Sequence, residues 1–365
     1  MKLAAWSLRF YRLPYVREVR WANAIEASGL FALLELISDS GARGYAEGTL
    51  KDTWSGASPR SLGAQLSDLL LPRLQGVDLA DERAVAQALA PVQECRLGKA
   101  MVDTGCWTLR ACAAKTPLWK LWNGPRLAEL TWTVTRQPPA TMAKEAADVV
   151  GQYGFPTLKV KGGQGLETDL RALAGIRAAV GTDVQLTVDA NSAYSREDAA
   201  AYARAISDAG VSLAEDPCPL APDSAFERLQ RESPIPVMVD NACTSARDAA
   251  LFLERGAQAL AVKPGRVGLS ESRAVAAMAA AHGQRVALGL YAESALGTLI
   301  SLQFAPANVV TPAEQTFYLV MREQVLGMEL RIENGNIELP DAADLATLID
   351  WKAVDRFSTH PALHS

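Results

Sequence analysis

The sequence predicts an α/β fold in which a small α+β domain precedes a closed barrel of eight parallel strands. Short apolar runs recur at the pitch of a strand followed by a helix, and the segments between them carry helix caps. The first 125 residues instead show strands followed by helices. A chain of 365 residues has room for a barrel and one smaller domain. We therefore expect a first domain over residues 1–125, a barrel over 126–320 and a C-terminal segment over 321–365.

The barrel prediction depends on five apolar runs that each end in one charged residue. The steps between successive charges are 28, 26, 25 and 23 residues. A strand of about 5 residues, a helix of about 10 to 15 and two short loops give a similar pitch. Strand ends at one face of a parallel barrel converge, so we expect the five charges to share one mouth. The charged residues are Lys161, Asp189, Glu215, Asp240 and Lys263.

Helix signals fill the segments between these runs. Ser195, Ser245 and Ser270 are placed to cap helices, and a glycine ends each of the three segments. Three further strands complete the count of eight. We expect the first over residues 129–134, the seventh ending near Gly289 and the eighth around residues 308–310.

The first domain reads as two strand regions, residues 2–13 and 28–48, the second folded into a hairpin at residues 39–41. Residues 14–27 lack a helical or strand period, and form either a surface crossing or a flap over a site. Helices are predicted over residues 58–74, 80–93 and 97–124. The tail contains a hairpin over residues 328–340, turning at Asn334-Gly335, which we expect to return to the first domain.

Composition narrows the function class. The net charge of -5 and the lack of a Lys/Arg-rich run argue against nucleic acid as a partner, but leave room for a small anionic substrate. Five cysteines without a C-x-x-C pair indicate neither a disulfide framework nor a zinc site. The N-terminus does not read as a signal peptide, and no apolar window approaches about 18 residues. We expect a cytoplasmic protein without a membrane partner.

The three carboxylates at consecutive strand ends predict a metal site. Asp189, Glu215 and Asp240 offer oxygen donors without histidine or thiolate, the donor set of Mg²⁺ or Mn²⁺. Strand two lies opposite strand six in an eight-strand ring, so Lys161 and Lys263 should face each other across the mouth.

Lysine works as a base when burial or a nearby cation lowers its pKa towards neutrality. Strand alternation places Lys159 on the same face as Lys161 and one layer deeper, so we expect Lys161 to act as base with Lys159 as its electrostatic helper. A metal-bound carboxylate substrate would lose its α-proton to form a metal-stabilised enediolate. Such a site supports racemisation, epimerisation, cycloisomerisation or β-elimination.

The motifs LKVK, VDAN, AEDP, MVDN, AVKPGRVG and GLYAESALG stand at or beyond these strand ends. Together with GYAEG, PLWKLWNG and the tail hairpin, they resemble the enolase superfamily and, within it, the muconate-lactonizing-enzyme (muconate cycloisomerase) subgroup. The resemblance covers most of the chain. It implies a (βα)7β modified TIM barrel, an N-terminal α+β capping domain completed by the C-terminal tail, and a homo-oligomer.

For the site, the resemblance implies that the three carboxylates bind Mg²⁺ and that the two facing lysines form the acid/base pair. Asn191 matches the asparagine of the family's DAN motif. Asn241 stands where the family usually has glutamate, and Asp216 stands where glutamine or glutamate is commoner. The motif GLYAESALG adds three residues as candidates for substrate binding: Tyr291, Glu293 and Ser294.

Glu314 lies just past the eighth predicted strand, in a loop that should rim the same mouth. It is either a solvated loop acid or the partner of a cationic group on the substrate. Dipeptide epimerases of the family hold an ammonium group with acids in the corresponding loop, although their Asp-x-Asp pattern is absent here.

The reaction itself stays open among related alternatives. A histidine-based branch of the family is disfavoured, because the chain's three histidines lie outside the predicted strand ends. We expect an isomerase: a cycloisomerase, racemase or epimerase. A lyase, such as an o-succinylbenzoate synthase or a hydroxyproline-type dehydratase, is the alternative, and a non-catalytic metal-binding barrel is a third reading.

Overall fold

The computed structural model describes residues 1–21, 24–309 and 311–365. An antiparallel sheet forms the first domain, with strands β1 Leu3–Arg20, β2 Ile25–Ser38 and β3 Arg43–Leu50. The predicted hairpin is confirmed, because β2 and β3 pair directly and Ser38 N donates to Ala42 O at 2.9 Å. The prediction of an irregular segment over residues 14–27 was wrong. β1 and β2 extend into this segment and pair at Pro14, Val19 and Arg20, with an irregularity between Pro14 and Val19. Residues 22 and 23 lie outside the described part.

Short helices follow this sheet: α1 Asp52–Ser55, α2 Pro59–Ala64, a π-helical turn Gln65–Leu70, a 3-10 turn Leu71–Leu74, α3 Glu82–Leu89, α4 Arg96–Ala114 and α5 Leu118–Leu121. The single helix predicted over residues 97–124 is thus two. Lys115 adopts a left-handed conformation with φ of 51°, and Pro117 has no N–H with which to continue the helix.

A close approach joins the sheet to its longest helix. Gly44 of β3 packs on α4 so tightly that a Cβ at this position would collide with the backbone carbonyl of Gly105. The cluster of buried residues between the sheet and the helices includes Leu8, Leu34 and Met101. This packing fixes β3, the strand that carries Glu47, against α4.

A sheet of parallel strands forms the barrel. Within the described residues its strands are β5 Trp132–Val134, β6 Thr157–Lys161, β7 Gln185–Asp189, β8 Val211–Glu215, β9 Val237–Val239, β10 Ala259–Val262 and β11 Arg285–Leu288, paired in that order. The strand Leu127–Glu129, β4, precedes them and belongs to another sheet.

The eighth position in the ring is taken by residues near Ala313, not by residues 308–310. Ala313 bridges Leu130 in parallel, and Glu314 N donates to Leu288 O at 2.8 Å, so this segment lies between the first and seventh barrel strands. Asn308 instead ends a short helix, and Val310 lies outside the described residues.

Helices cover the outside of the barrel: α6 Pro139–Tyr153, α7 Leu166–Val180, α8 Ala199–Asp208, α9 Ser224–Glu232, α10 Ala246–Glu254, α11 Pro264–Val267, α12 Leu269–Ala281, α13 Ala295–Leu302 and α14 Ala305–Asn308. Ser245 caps α10 as predicted. Ser195 lies one turn before α8 and makes the expected capping contact, because its Oγ accepts from Asp198 N at 3.1 Å. Ser270 is not an N-cap, because it lies inside the first turn of α12 with its hydroxyl donating to Asp103.

The tail contains a 3-10 turn Phe317–Val320, strands β12 Ile332–Glu333 and β13 Asn336–Glu338, a 3-10 turn Leu345–Thr347, helix α15 Trp351–Arg356 and strand β14 Leu363–His364. The hairpin turns at Asn334 and Gly335, both with positive φ. Its expected return to the first domain was wrong, because β13 pairs with β4. The end of the chain does reach that domain, where β14 pairs with β1.

The domain boundaries themselves stay a prediction. In the described part of the chain, no helix is both long and apolar enough to cross a membrane.

Candidate active site

The structure brings the five charged strand ends together at one mouth of the barrel. Lys161 lies opposite Asp189 in the strand register, and Asp189 lies opposite Glu215. Asp240 and Lys263 directly follow the next two strands. The carboxylate residues are almost fully buried, at 1%, 2% and 2% exposure for Asp189, Glu215 and Asp240.

Lys159 lies one layer deeper and pairs with carboxylates on three sides. Its Nζ is 2.6 Å from Glu215 Oε2, 3.3 Å from Asp189 Oδ2 and 2.8 Å from both oxygens of Glu314. Burial alone would lower the pKa of Lys159, but the surrounding carboxylates, Glu215 and Glu314 foremost, raise that pKa well above its ordinary value. Lys159 is therefore a permanent cation that balances the acids.

The two facing lysines are more accessible than Lys159. Lys161 Nζ lies 2.5 Å from Asp189 Oδ2 and 3.3 Å from Asn191 Oδ1, and Lys263 Nζ contacts Asp240 Oδ2. Their side chains are 24% and 14% exposed, and both line the same cavity. Each ammonium group can therefore reach a molecule bound in the mouth.

The three carboxylates offer the oxygen donors that a divalent cation prefers, but Lys159 occupies the space between two of them. Glu215 Oε1 and Asp240 Oδ1 are buried and accept no hydrogen bond among the described residues, so each has an oxygen free for a cation. Burial, followed by the charge of Asp189, raises the pKa of Glu215 well above its ordinary value. No group of three acidic, histidine or cysteine side chains in the described ranges is drawn close enough to ligate a metal, and Lys159 lies between Asp189 and Glu215.

Asp216 and Asn241, the two departures from the family pattern, are joined to each other. Asp216 has φ of 38°, and its carboxylate accepts from Asp240 N at 3.1 Å and from Asn241 N at 2.8 Å. Burial raises the pKa of Asp216 to about 7. Asp216 therefore holds the backbone at the end of β9, while Asn241 lines the cavity.

The candidates from GLYAESALG separate into two groups. Tyr291 lines the cavity, whereas Glu293 is buried behind it and accepts from Tyr291 N at 2.6 Å. Ser294 caps α13, and its N donates to Glu47 Oε1 of the first domain at 2.9 Å. Glu293 and Ser294 therefore lie behind the residues that line the cavity, and their side chains are not part of its lining.

A cavity of about 640 Å³ lies over the mouth, between the barrel and the first domain. Sequence reasoning missed many of its lining residues, because they lie outside the strand-end pattern. Arg136 is one with a recognisable signal, an arginine two residues past the first barrel strand. Its Nε donates to Gly162 O at 2.6 Å, and its Nη2 to Ala190 O at 3.1 Å. The other missed residues include Arg17, Trp21, Trp54, Arg96, Trp132, Glu145 and Arg266.

Comparison with known proteins identifies relatives of this chain. Muconate cycloisomerase 1-2 of Acinetobacter lwoffii is 28% identical over 94% of this chain and 92% of its own. L-Ala-D/L-Glu epimerase of Clostridium acetobutylicum is 26% identical over 91% of this chain and 93% of its own. The dipeptide epimerase of Enterococcus faecalis V583, solved with Mg and the dipeptide L-Leu-L-Tyr, superposes with a TM-score of 0.86 at 23% identity, covering 94% of this chain and 99% of that one.

These likenesses agree with the predicted capping domain and (βα)7β barrel. The family model described as Enolase C-terminal domain-like matches residues 141–353, which include the five charged strand ends. The chain therefore belongs to the enolase superfamily, in its group of enzymes related to muconate cycloisomerase.

Proposed function

We propose that this protein is a Mg²⁺-dependent isomerase that removes and returns the α-proton of a carboxylate substrate. The observation that carries this proposal is the pair of accessible lysines, Lys161 and Lys263, on either side of a buried group of three carboxylates. Two amines on opposite sides of one carbon can take a proton from one face and return it to the other, which inverts the centre.

Asp189, Glu215 and Asp240 would hold the Mg²⁺, which, when bound, attracts the substrate carboxylate and makes its α-proton more acidic. Lys161, in its neutral amine form, would accept the α-proton at Nζ and become an ammonium, while Lys263, as an ammonium, would donate a proton from Nζ to the opposite face and become neutral. Asn191 orients Lys161 through its side-chain oxygen, 3.3 Å away. Lys159 supports the site as a fixed positive charge.

The relatives support an isomerase without choosing one reaction. Their names cover a cycloisomerase and an epimerase at 26% to 28% identity over more than nine-tenths of the chain. Mg in the related dipeptide epimerase is in keeping with the oxygen-only donor set found here. We infer that the substrate is a small carboxylate. The residues that line the cavity determine which second chemical group this substrate can carry.

Proton exchange in D₂O tests this proposal directly. N-acyl amino acids, dipeptides and unsaturated dicarboxylic acids are incubated with the Mg²⁺-loaded protein, and α-deuterium is followed by NMR. We expect exchange with at least one class, and no exchange with the Lys161→Ala/Lys263→Ala double variant. A new alkene signal with loss of water would instead indicate a lyase. Metal binding without exchange in any class would leave only a binding role.

A further inference from the structure

One side of the cavity is an aromatic wall made by four residues: Trp21, Trp54, Tyr291 and Phe317. Trp21 lies 4.9 Å from Trp54 and 5.1 Å from Phe317, between ring centroids. Trp54 in turn lies 5.5 Å from Tyr291. The wall therefore joins the tip of the first hairpin, helix α1 and the loops after the last barrel strands into one surface.

An ion pair between the buried Lys51 and the partly exposed Glu26 lies behind this wall. Lys51 Nζ lies 3.8 Å from the ring centroid of Trp21 and 4.7 Å from that of Trp54, and its side chain is only 2% exposed. Glu26 accepts from both Lys51 Nζ and Trp21 Nε1, the latter at 2.7 Å. A buried ammonium group is costly unless it is paired, and here one carboxylate and two indole rings stabilise it. The positions of the two indoles are thus tied to Lys51.

The charges around the wall do not favour a cation. Arg17 and Arg96 line the same cavity, are exposed, and have no carboxylate within 4.0 Å among the described residues. A substrate ammonium at the wall would therefore meet like charges, which disfavours binding.

The acids that line the cavity already have partners. Glu145 accepts hydrogen bonds from Trp132 Nε1 and Gln137 Nε2. Glu314 accepts both of its bonds from Lys159, and Asp240 contacts Lys263. Because these carboxylates are already paired, they are not placed to neutralise a cationic group on the substrate.

We propose that the substrate carries, besides its reacting carboxylate, an uncharged apolar or aromatic group that packs against the aromatic wall, with Lys51 and Glu26 as the residues that position this wall. The inference rests on the proposed α-proton chemistry for the orientation of the substrate. It replaces the expectation of an ammonium group held by Glu314. Trp faces give large contact area at a small cost in side-chain entropy, which suits them to this role.

Three matched acids test the chemical class: N-acetyl-L-phenylalanine, N-acetyl-L-arginine and N-acetyl-L-citrulline. Calorimetry on the Mg²⁺-saturated protein gives each Kd. We expect the phenylalanine derivative to bind about tenfold or more tightly than the arginine derivative, with citrulline, the uncharged near-isostere of arginine, between them. Equal or tighter binding of the arginine derivative, or no binding of the phenylalanine derivative, would overturn the inference.

The same acids, followed by deuterium exchange, keep the two proposals apart. If the phenylalanine derivative binds most tightly but none of the three acids exchanges its α-proton, the result counts against the proposed isomerase and supports the apolar subsite. Exchange of the arginine derivative at equal or higher kcat/KM retains the isomerase and removes the subsite.

Variants test the positioning pair. Lys51→Met should reduce the preference for phenylalanine over arginine about tenfold through KM, with a smaller change in kcat, because the indoles lose their anchor. Trp54→Ala should do the same, Lys51→Arg should restore most of the preference, and Lys144→Met, on an exposed helix, is the control. If Lys51→Met fails to fold, Glu26→Gln takes its place. An unchanged preference in a folded variant would remove Lys51 and Glu26 from this role.

Discussion

The two sides of the cavity are built differently. The barrel side carries charges at the ends of parallel strands, each held by neighbouring strands in register. The cap side carries indoles from a hairpin tip and a four-residue helix, held by an ion pair in which only the lysine is buried. In our proposal the barrel side performs the chemistry and the cap side selects the substrate. The difference follows from rigidity, because reacting groups need fixed positions that strands provide and loops vary more readily.

Metal removal should have the largest effect and acts on the barrel side alone. Exhaustive dialysis against EDTA should abolish proton exchange, and Mg²⁺ or Mn²⁺ should restore it, because the donors are all carboxylate oxygens. Elemental analysis before and after dialysis measures the metal. Metal removal should weaken the contact between the apolar side chain of an N-acetyl amino acid and the cap side less than it lowers the rate of proton exchange. Full activity in metal-free protein would contradict the proposed site.

Replacing either lysine should be nearly as severe. Lys161→Ala and Lys263→Ala should each lower turnover by about 10²- to 10⁴-fold, the usual contribution of a positioned acid or base. In a racemase, one of the two variants should still exchange the α-proton of one enantiomer. Circular dichroism checks that the fold is intact. Near-normal turnover of Lys263→Ala would reduce Lys263 to an electrostatic role.

Glu314→Gln separates two readings of a residue at the junction of the two sides. A contact with a cationic substrate would raise KM by about one to two orders of magnitude, the value of a charge-assisted hydrogen bond. The bidentate contact with Lys159 instead favours a fall in kcat with little change in KM. Steady-state kinetics with a dipeptide and an N-acyl amino acid, which differ in the ammonium group, distinguish these outcomes.

The smallest expected effect is on the free energy of unfolding, through Glu293, which lies behind Tyr291 of the aromatic wall. Burial raises the pKa of Glu293 to about 7 from an ordinary 4.5, so the folded protein holds this proton more tightly than the unfolded chain. Stability from this group is complete below about pH 4.5 and falls as the pH rises to about 7. Glu293→Gln should therefore become more stable relative to the wild type by about 2 to 3 kcal/mol between pH 4.5 and 8. Urea unfolding across this range measures it, with the exposed Glu329→Gln as control. A difference independent of pH would contradict the assignment.

Much of the barrel side could be predicted from the chain alone. The spacing of the charges located the strands that carry Lys161, Asp189 and Glu215, because a strand and its helix occupy a nearly constant length. The eighth strand was misplaced by a few residues, since Ala313 enters the ring through an isolated bridge without an apolar run. The helix cap predicted at Ser270 was wrong for a similar reason, because Ser270 lies inside α12 and bonds to Asp103, a residue far away in the chain.

The sequence of the cap side predicted almost nothing of its part in the site. Residues 14–27 contain few periodic apolar positions, and the structure was needed to show that Arg17, Val19 and Trp21 line the cavity. Lys51 reads as an ordinary charge after a strand. Its position between Trp21 and Trp54 depends on side chains brought together from separate turns of the fold.

The class of fold, the order of the strands and the charges at their ends could be predicted from the amino acids, because they depend on local periodicity and on the constant geometry of parallel strands. The groups that meet across long separations could be identified only in the folded protein. Glu314 pairs with Lys159 at a separation of 155 residues, and Ser294 with Glu47 at 247. Such contacts arise from the packing of whole elements, and no local pattern encodes the distance between two side chains so far apart in the chain.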